Sequence, residues 1–277
     1  YTLFIQSATR SLRPQTFVWV NAHDGISSHL RIFGITAQHT GLKELGTISL
    51  PDTAGITGGV KCIQYVPGLH GGVAVSDPEP LRGDLVWVGT DSKKIIIYSA
   101  NDPERGIQLG SATLPTEVMC MRYHCDAVWV GLSSGTLAVF RRNVKSLSWD
   151  VLTPQMISLG SDPIMSLLPV HSAKELPGIY AACGKRVWVI DAFNNDQLRS
   201  FVVQPRNTIS SERNIGPFNA MSDKNNDLKN CEANHVHQMA QSGVGLWISL
   251  RNSSTICLYH TETFRHLQDI NIASNVS

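Results

Sequence analysis

A chain of 277 residues, 42% of them hydrophobic, is long enough to bury a large core in one domain or one repeat array. Its 23 lysines and arginines against 22 aspartates and glutamates leave a formal net charge of +1, scattered rather than gathered into runs, which argues against a nucleic-acid or anionic-membrane surface. No window approaches the roughly 20 apolar residues of a membrane helix, and the opening YTLFIQSATRSLRP lacks the basic and apolar regions of a signal peptide. The sequence therefore reads as a globular, cytoplasmic protein.

Short apolar segments, rich in Val, Ile and aromatics and bounded by Gly, Ser, Asp or Asn, follow one another along the whole chain and predict β-strands. Helical periodicity is nowhere strong. The first four are TLFIQSA, FVWVNA, HLRIFGI and LKELGTISL, over residues 2–50. The next four, over 60–114, are VKCIQYV, LVWVGT, KIIIYSA and GIQLGSATL. A third quartet, over 118–159, reads VMCMRYH, AVWVGL, TLAVFRR and DVLTPQMISL. The fourth, over 164–203, is IMSLLPV, IYAAC, RVWVID and LRSFVV; the fifth, over 235–272, is HVHQMAQ, GLWISL, TICLYHT and HLQDINI.

Five of the six tryptophans, Trp19, Trp87, Trp129, Trp188 and Trp247, belong to one recurring phrase, VWVG or a relative of it. In the fourth quartet the phrase moves from the second segment to the third. Trp87 and Trp129 are 42 residues apart, within the roughly 40–45 of a four-stranded propeller blade. The two following intervals are 59 residues each, and both contain insertions, at 170–178 and 204–234. The second is polar, rich in Asn and Ser, and too poor in aliphatic residues to offset its ordering entropy, so a flexible excursion is expected there.

The prediction for residues 1–277 is an all-β, WD40-like β-propeller region of about five four-stranded blades, with the tryptophans as wedges between blades. The chain has no initiating methionine and stops just after a complete quartet. It is expected to be a piece of a longer protein and an incomplete ring of a larger propeller.

Constellations that could carry chemistry are weak. Gly131-Leu132-Ser133-Ser134-Gly135 matches the G-x-S-x-G pattern of α/β-hydrolases, but a strand follows it where that chemistry needs a helix. Serine and glycine are ordinary hairpin residues there. His235 and His237 alternate along one predicted segment with Cys231 nearby, a spacing that offers metal ligands but fixes no complete site. His124 and Cys125 are discounted in the same way, and no G-x-G-x-x-G or P-loop pattern occurs. The carboxylates are dispersed in turn contexts such as Asp91, Asp102 and Asp126. No catalytic, cofactor-binding or metal-binding residue is assigned. The six cysteines read as reduced; Cys62 and Cys120, in the same slot of two quartets, read as small buried hydrophobes.

The stretch GVGLWISLRNSSTICLYHTETFRHLQDINIA from Gly243 to Ala273, with VWVGLSSGTLAVFRR and KRVWVIDA, resembles the C-terminal WD40-like propeller of a group of Dbl-type Rho guanine-nucleotide exchange factors, the ARHGEF-ten group. A related propeller closes the JNK-interacting kinesin scaffold proteins, which share an HLQD phrase. The resemblance implies a parent that activates Rho-family GTPases through upstream helical domains, with this segment as a non-catalytic interaction or autoregulatory propeller that binds protein partners, among them the rest of its own parent. The alternatives are the propeller of a JNK/kinesin scaffold and, from another class, an enzyme using a propeller channel.

Overall fold

Among the described residues of the computed structural model, the strands form five four-stranded sheets, and each sheet is a meander of strands adjacent in sequence. The structure describes residues 3–8, 15–23, 28–35, 41–50, 59–68, 81–170, 177–205 and 235–272. Sheet one contains β1 (Leu3–Ala8), β2 (Gln15–His23), β3 (Ser28–Ile35) and β4 (Lys43–Ser49). Sheet two contains β5 (Val60–Val66), β6 (Leu85–Thr90), β7 (Lys94–Ser99) and β8 (Gln108–Thr113). Sheet three contains β9 (Val118–His124), β10 (Ala127–Leu132), β11 (Thr136–Arg141) and β12 (Gln155–Ser158). Sheet four is β13 (Ile164–Val170), β14 (Gly178–Cys183), β15 (Arg186–Asp191) and β16 (Gln197–Val202); sheet five is β17 (Val236–Ser242), β18 (Gly245–Leu250), β19 (Thr255–His260) and β20 (His266–Asn271). Among the described residues the only helix is the turn Pro103–Arg105, which ends at left-handed Gly106, and no helix is long and apolar enough to cross a membrane.

The chain divides into two compact units. Sheets one and two and most of sheet three form the first; sheets four and five form the second. In the first, the VWVG phrase shows its physical meaning. All six residues of β6 are buried. Val86 and Val88 pack with Trp19, Leu30 and Ile32 of sheet one, while Leu85 and Trp87 pack with Val128, Val130, Leu132 and Phe140 of sheet three. Successive side chains of a strand point to opposite faces, and both faces of β6 meet another sheet. A near-continuous apolar run is the sequence such a strand requires.

Gly89 completes the phrase for a steric reason. A Cβ there would lie 2.5 Å from Val118 Cγ1 and 2.8 Å from Cys62 Sγ, so the first strand of the next sheet can approach only a glycine. In sheets two to five the last strand has few or no buried residues. The strands β10 and β14 are buried throughout, whereas β8, β12, β16 and β20 alternate or are mostly exposed. Polar edge strands discourage pairing with other chains.

In the second unit, Tyr180, Ala182, Val187 and Val189 of sheet four pack with Leu246, Ile248, Leu250, Cys257 and Tyr259 of sheet five. The Tyr180 hydroxyl donates to the Thr261 carbonyl at 3.1 Å, and the Met239 N–H donates to Ser166 Oγ at 3.2 Å. The pairing of third and fourth strands is interrupted at the same place in sheets one, two, four and five, by register shifts at Ile32/Phe33, Ile97/Tyr98, Val189/Ile190 and Leu258/Tyr259. A bulge of this kind changes which residues of the edge strand share a face.

Candidate functional site

The repeated tryptophans do not share one environment. Trp19, Trp87 and Trp129 are fully buried, whereas Trp188 and Trp247 are half-buried. Trp188 lies in β15, the third strand of its sheet; the others lie in second strands. Trp19 faces Tyr98 of sheet two, ring centroids 6.3 Å apart, and Trp87 faces Phe140 of sheet three at 5.3 Å.

Ser133 and Ser134 sit in the hairpin between β10 and β11, where Gly135 has a φ of 76° and a Cβ would fall 2.4 Å from the Gly160 carbonyl oxygen. Two strands flank this turn, so it is not the nucleophile elbow of a hydrolase. His124 ends β9, and Cys125 and Asp126 form the next turn with φ of 50° and 51°. Asp126 accepts from Arg142 Nε at 2.9 Å. His235 precedes β17, and a register shift between Val236 and Gln238 isolates His237 as the bulged residue; the strict alternation expected to bring the two histidines together does not hold. Cys231 and residues 206–234 lie outside the described residues, as do 171–176.

Cys62 and Cys120 are partly rather than fully buried as residues, yet both thiols are held well above their ordinary range, first by burial. Both lie on the first strands of their sheets, β5 and β9.

Among the described residues, one group of His, Cys and acidic side chains that the sequence did not single out could hold a metal ion: Cys257, His266 and Asp269 of sheet five. Cys257 pairs with Asp269 across β19 and β20, and Tyr259 pairs with His266. Leu267 is left over in the bulge. Residues three apart on a regular strand face opposite sides, but the extra residue restores His266 and Asp269 to one face. There His266 Nε2 and Asp269 Oδ1 are 2.6 Å apart, with the side chains 11% and 4% exposed. Donor atoms of all three residues lie within 4.8 Å of one another.

The Cys257 thiol is pushed up to about 12, chiefly by burial and further by its hydrogen bond to the Asp269 carboxylate. A raised thiol is the reverse of the lowered one that an activated nucleophile needs. His266 packs edge-on against Tyr259, centroids 5.1 Å apart, and its Nδ1 is buried with no hydrogen-bond partner among the described residues. The same slot in sheet one holds Arg31, Glu44 and Thr47, where Glu44 Oε1 accepts from Arg31 Nε at 3.0 Å and from Thr47 Oγ1 at 3.1 Å. That trio is exposed and charge-paired; the one in sheet five is buried.

Four-stranded meanders that share strand faces with the next sheet, joined by apolar phrases of propeller-blade length, define a WD40-like β-propeller repeat protein. The chain belongs to the WD40 repeated domain family, whose sequence profile matches residues 2–215 and 219–277. Over 281 residues it is 28% identical to the Rho guanine nucleotide exchange factor 10-like protein of Mus musculus, an alignment that covers 98% of this chain and 19% of that protein. It is 29% identical over 193 residues to the C-Jun-amino-terminal kinase-interacting protein 4 of Homo sapiens, covering 69% of this chain and 12% of that one. The chain thus spans about a fifth or less of the relatives it matches. A chain in the crystal structure of the Mitotic Checkpoint Complex superposes with a TM-score of 0.55 over 93% of this chain and 62% of its own length, at 11% identity, a likeness of fold alone.

Proposed function

We propose that this segment is a non-catalytic protein-interaction and autoregulatory propeller within a Rho guanine-nucleotide exchange factor, whose upstream domains act on a Rho-family GTPase in the cytoplasm. The observation that carries this reading is the alignment to the exchange-factor relative along 98% of the chain. Catalysed nucleotide release requires a surface that pries at the GTPase switch regions. Among the described residues the only helical segment has three residues, which favours a docking role through loops on a rigid β scaffold. The second reading, a propeller of a motor-linked kinase scaffold, rests on the alignment with the kinase-interacting protein over 69% of the chain.

Release of labelled GDP from a panel of Rho GTPases separates these readings. The 277-residue chain alone is expected to leave release rates unchanged, while the full-length parent accelerates them. Acceleration by the isolated chain overturns the non-catalytic assignment. A full-length parent whose upstream domains are inactive, alone or together, favours the scaffold.

A further inference from the structure

We infer that Cys257, His266 and Asp269 form a zinc site that clamps the edge strand of sheet five. Three observations converge on the same few ångströms: a buried thiol, a carboxylate that is 4% exposed, and an imidazole with one nitrogen at Asp269 and the other buried without a partner.

The donor set selects the ion. A sulfur, an imidazole nitrogen and one carboxylate oxygen suit Zn2+, whereas Mg2+ and Ca2+ require mostly oxygen ligands. The charge also balances. Zn2+ with one thiolate, one carboxylate and a neutral imidazole carries no net charge, which a buried site tolerates better than a net charge. Binding releases the Cys257 proton to solvent, and the imidazole keeps its single ring proton on whichever nitrogen does not face the metal.

The geometry requires only local adjustment. Donor atoms within 4.8 Å of one another must settle to roughly 3.3–3.8 Å for a tetrahedral ion with bonds of about 2.0–2.3 Å. The 2.6 Å contact between His266 and Asp269 opens slightly as the metal replaces the proton between them. Two of the three ligands stand on one bulged strand and the third directly across from it, so backbone pairing already fixes their spacing. Without an ion, the trio ties β20 to β19 by hydrogen bonds alone.

The test uses the 277-residue chain, stripped with a chelator and titrated without oxygen, first with Co2+ and then with Zn2+. One equivalent of Co2+ is expected to give a thiolate charge-transfer band in the near ultraviolet with tetrahedral absorption in the visible, both bleached by Zn2+. The unfolding temperature should rise with Zn2+ concentration. Cys257→Ser and His266→Gln should abolish the band, and Cys183→Ser, which removes another buried thiol of the same unit, should retain it. Absence of the charge-transfer band in the unsubstituted chain, or its persistence in Cys257→Ser, overturns the site. Should the variants fail to fold, alkylation of the unsubstituted chain decides: Zn2+ must slow labelling of Cys257, mapped by mass spectrometry, and an unchanged labelling rate refutes the assignment.

Discussion

Trp149 meets Trp87 edge to face, with ring centroids 5.5 Å apart and planes inclined at 74°. Trp149 is the one tryptophan outside the repeated phrase; it enters from the segment between β11 and β12, where it bridges to Arg142. Trp87 thereby touches two rings of sheet three, Phe140 and Trp149. Replacing Trp87 by alanine should cost about 3–5 kcal/mol through lost burial and the cavity left behind. Trp129→Ala should cost a similar amount, because that ring is also fully buried. Val144, 90% exposed, provides the control, and Val144→Ala should change stability by no more than about 0.5 kcal/mol. Denaturation midpoints for the three variants check this, and equal midpoints for Trp87→Ala and Val144→Ala would contradict the packing.

Arg142 lies over the Trp149 ring. Its guanidinium lies 4.4 Å from the ring centroid, Nε donates to Asp126 at 2.9 Å, and a terminal nitrogen donates to the Pro67 carbonyl beside sheet two at 2.5 Å. The side chain is only 4% exposed, while Asp126 is 50% exposed. Arg142→Met should destabilise by about 1–3 kcal/mol, since it strands a carbonyl and removes a cation from an aromatic face. Asp126→Asn should cost less, because water screens that partner. Lysine at position 142 should not rescue, as a point charge cannot reproduce the planar fork. Thermal unfolding of the three variants tests the order, and a larger loss in Asp126→Asn than in Arg142→Met reverses it.

Gly89→Ala places a methyl group 2.5 Å from Val118 Cγ1. Overpacking of this kind costs about 1–3 kcal/mol. Part of that loss should be recovered when Val118→Ala is combined with it, giving a measurable coupling in a double-mutant cycle. Strict additivity of the two substitutions would mean that the strands yield by moving apart.

The thiols predict a pH dependence of stability. Cys120 is pushed up to about 12 and Cys62 is also held well above 9, in both cases first by burial. In the unfolded chain such thiols ionise near 9, so between about pH 9 and 12 the unfolded state gives up protons that the folded state keeps. Their contribution is complete below the unfolded value and declines as pH rises through that window. Cys120→Val should show a flatter decline in denaturation midpoint between these limits than the unsubstituted chain. Identical slopes would remove Cys120 from the account.

Strand text was readable where both faces of a strand are buried, as in β6 and β10, because an unbroken apolar run of that length, closed by turn residues, fits little else. The edge strands were harder. The segment DVLTPQMISL predicts a strand from Asp150, but the regular pairing of β12 begins at Gln155, after Asp150 has accepted the N–H groups of Leu152 and Thr153 in a turn. The trio at Cys257 was invisible for a related reason. Histidine and aspartate three apart on a strand fall on opposite faces in any regular reading, and only the bulge at Leu267, a product of pairing with β19, turns them together. His235 and His237 show the converse: two apart and expected on one face, they are separated by a bulge of their own.

The burial of β6 on both faces leaves that strand without a silent position. In a strand with one wet face, alternate residues can drift in sequence while the fold persists. Here each of four consecutive side chains, Leu85, Val86, Trp87 and Val88, is answerable to one neighbouring sheet or the other, so a substitution that suits one contact is still judged at the next residue by the opposite one. Such a strand should vary only by exchanges of like volume, and new specificity in this protein has to arise at its turns and edge strands.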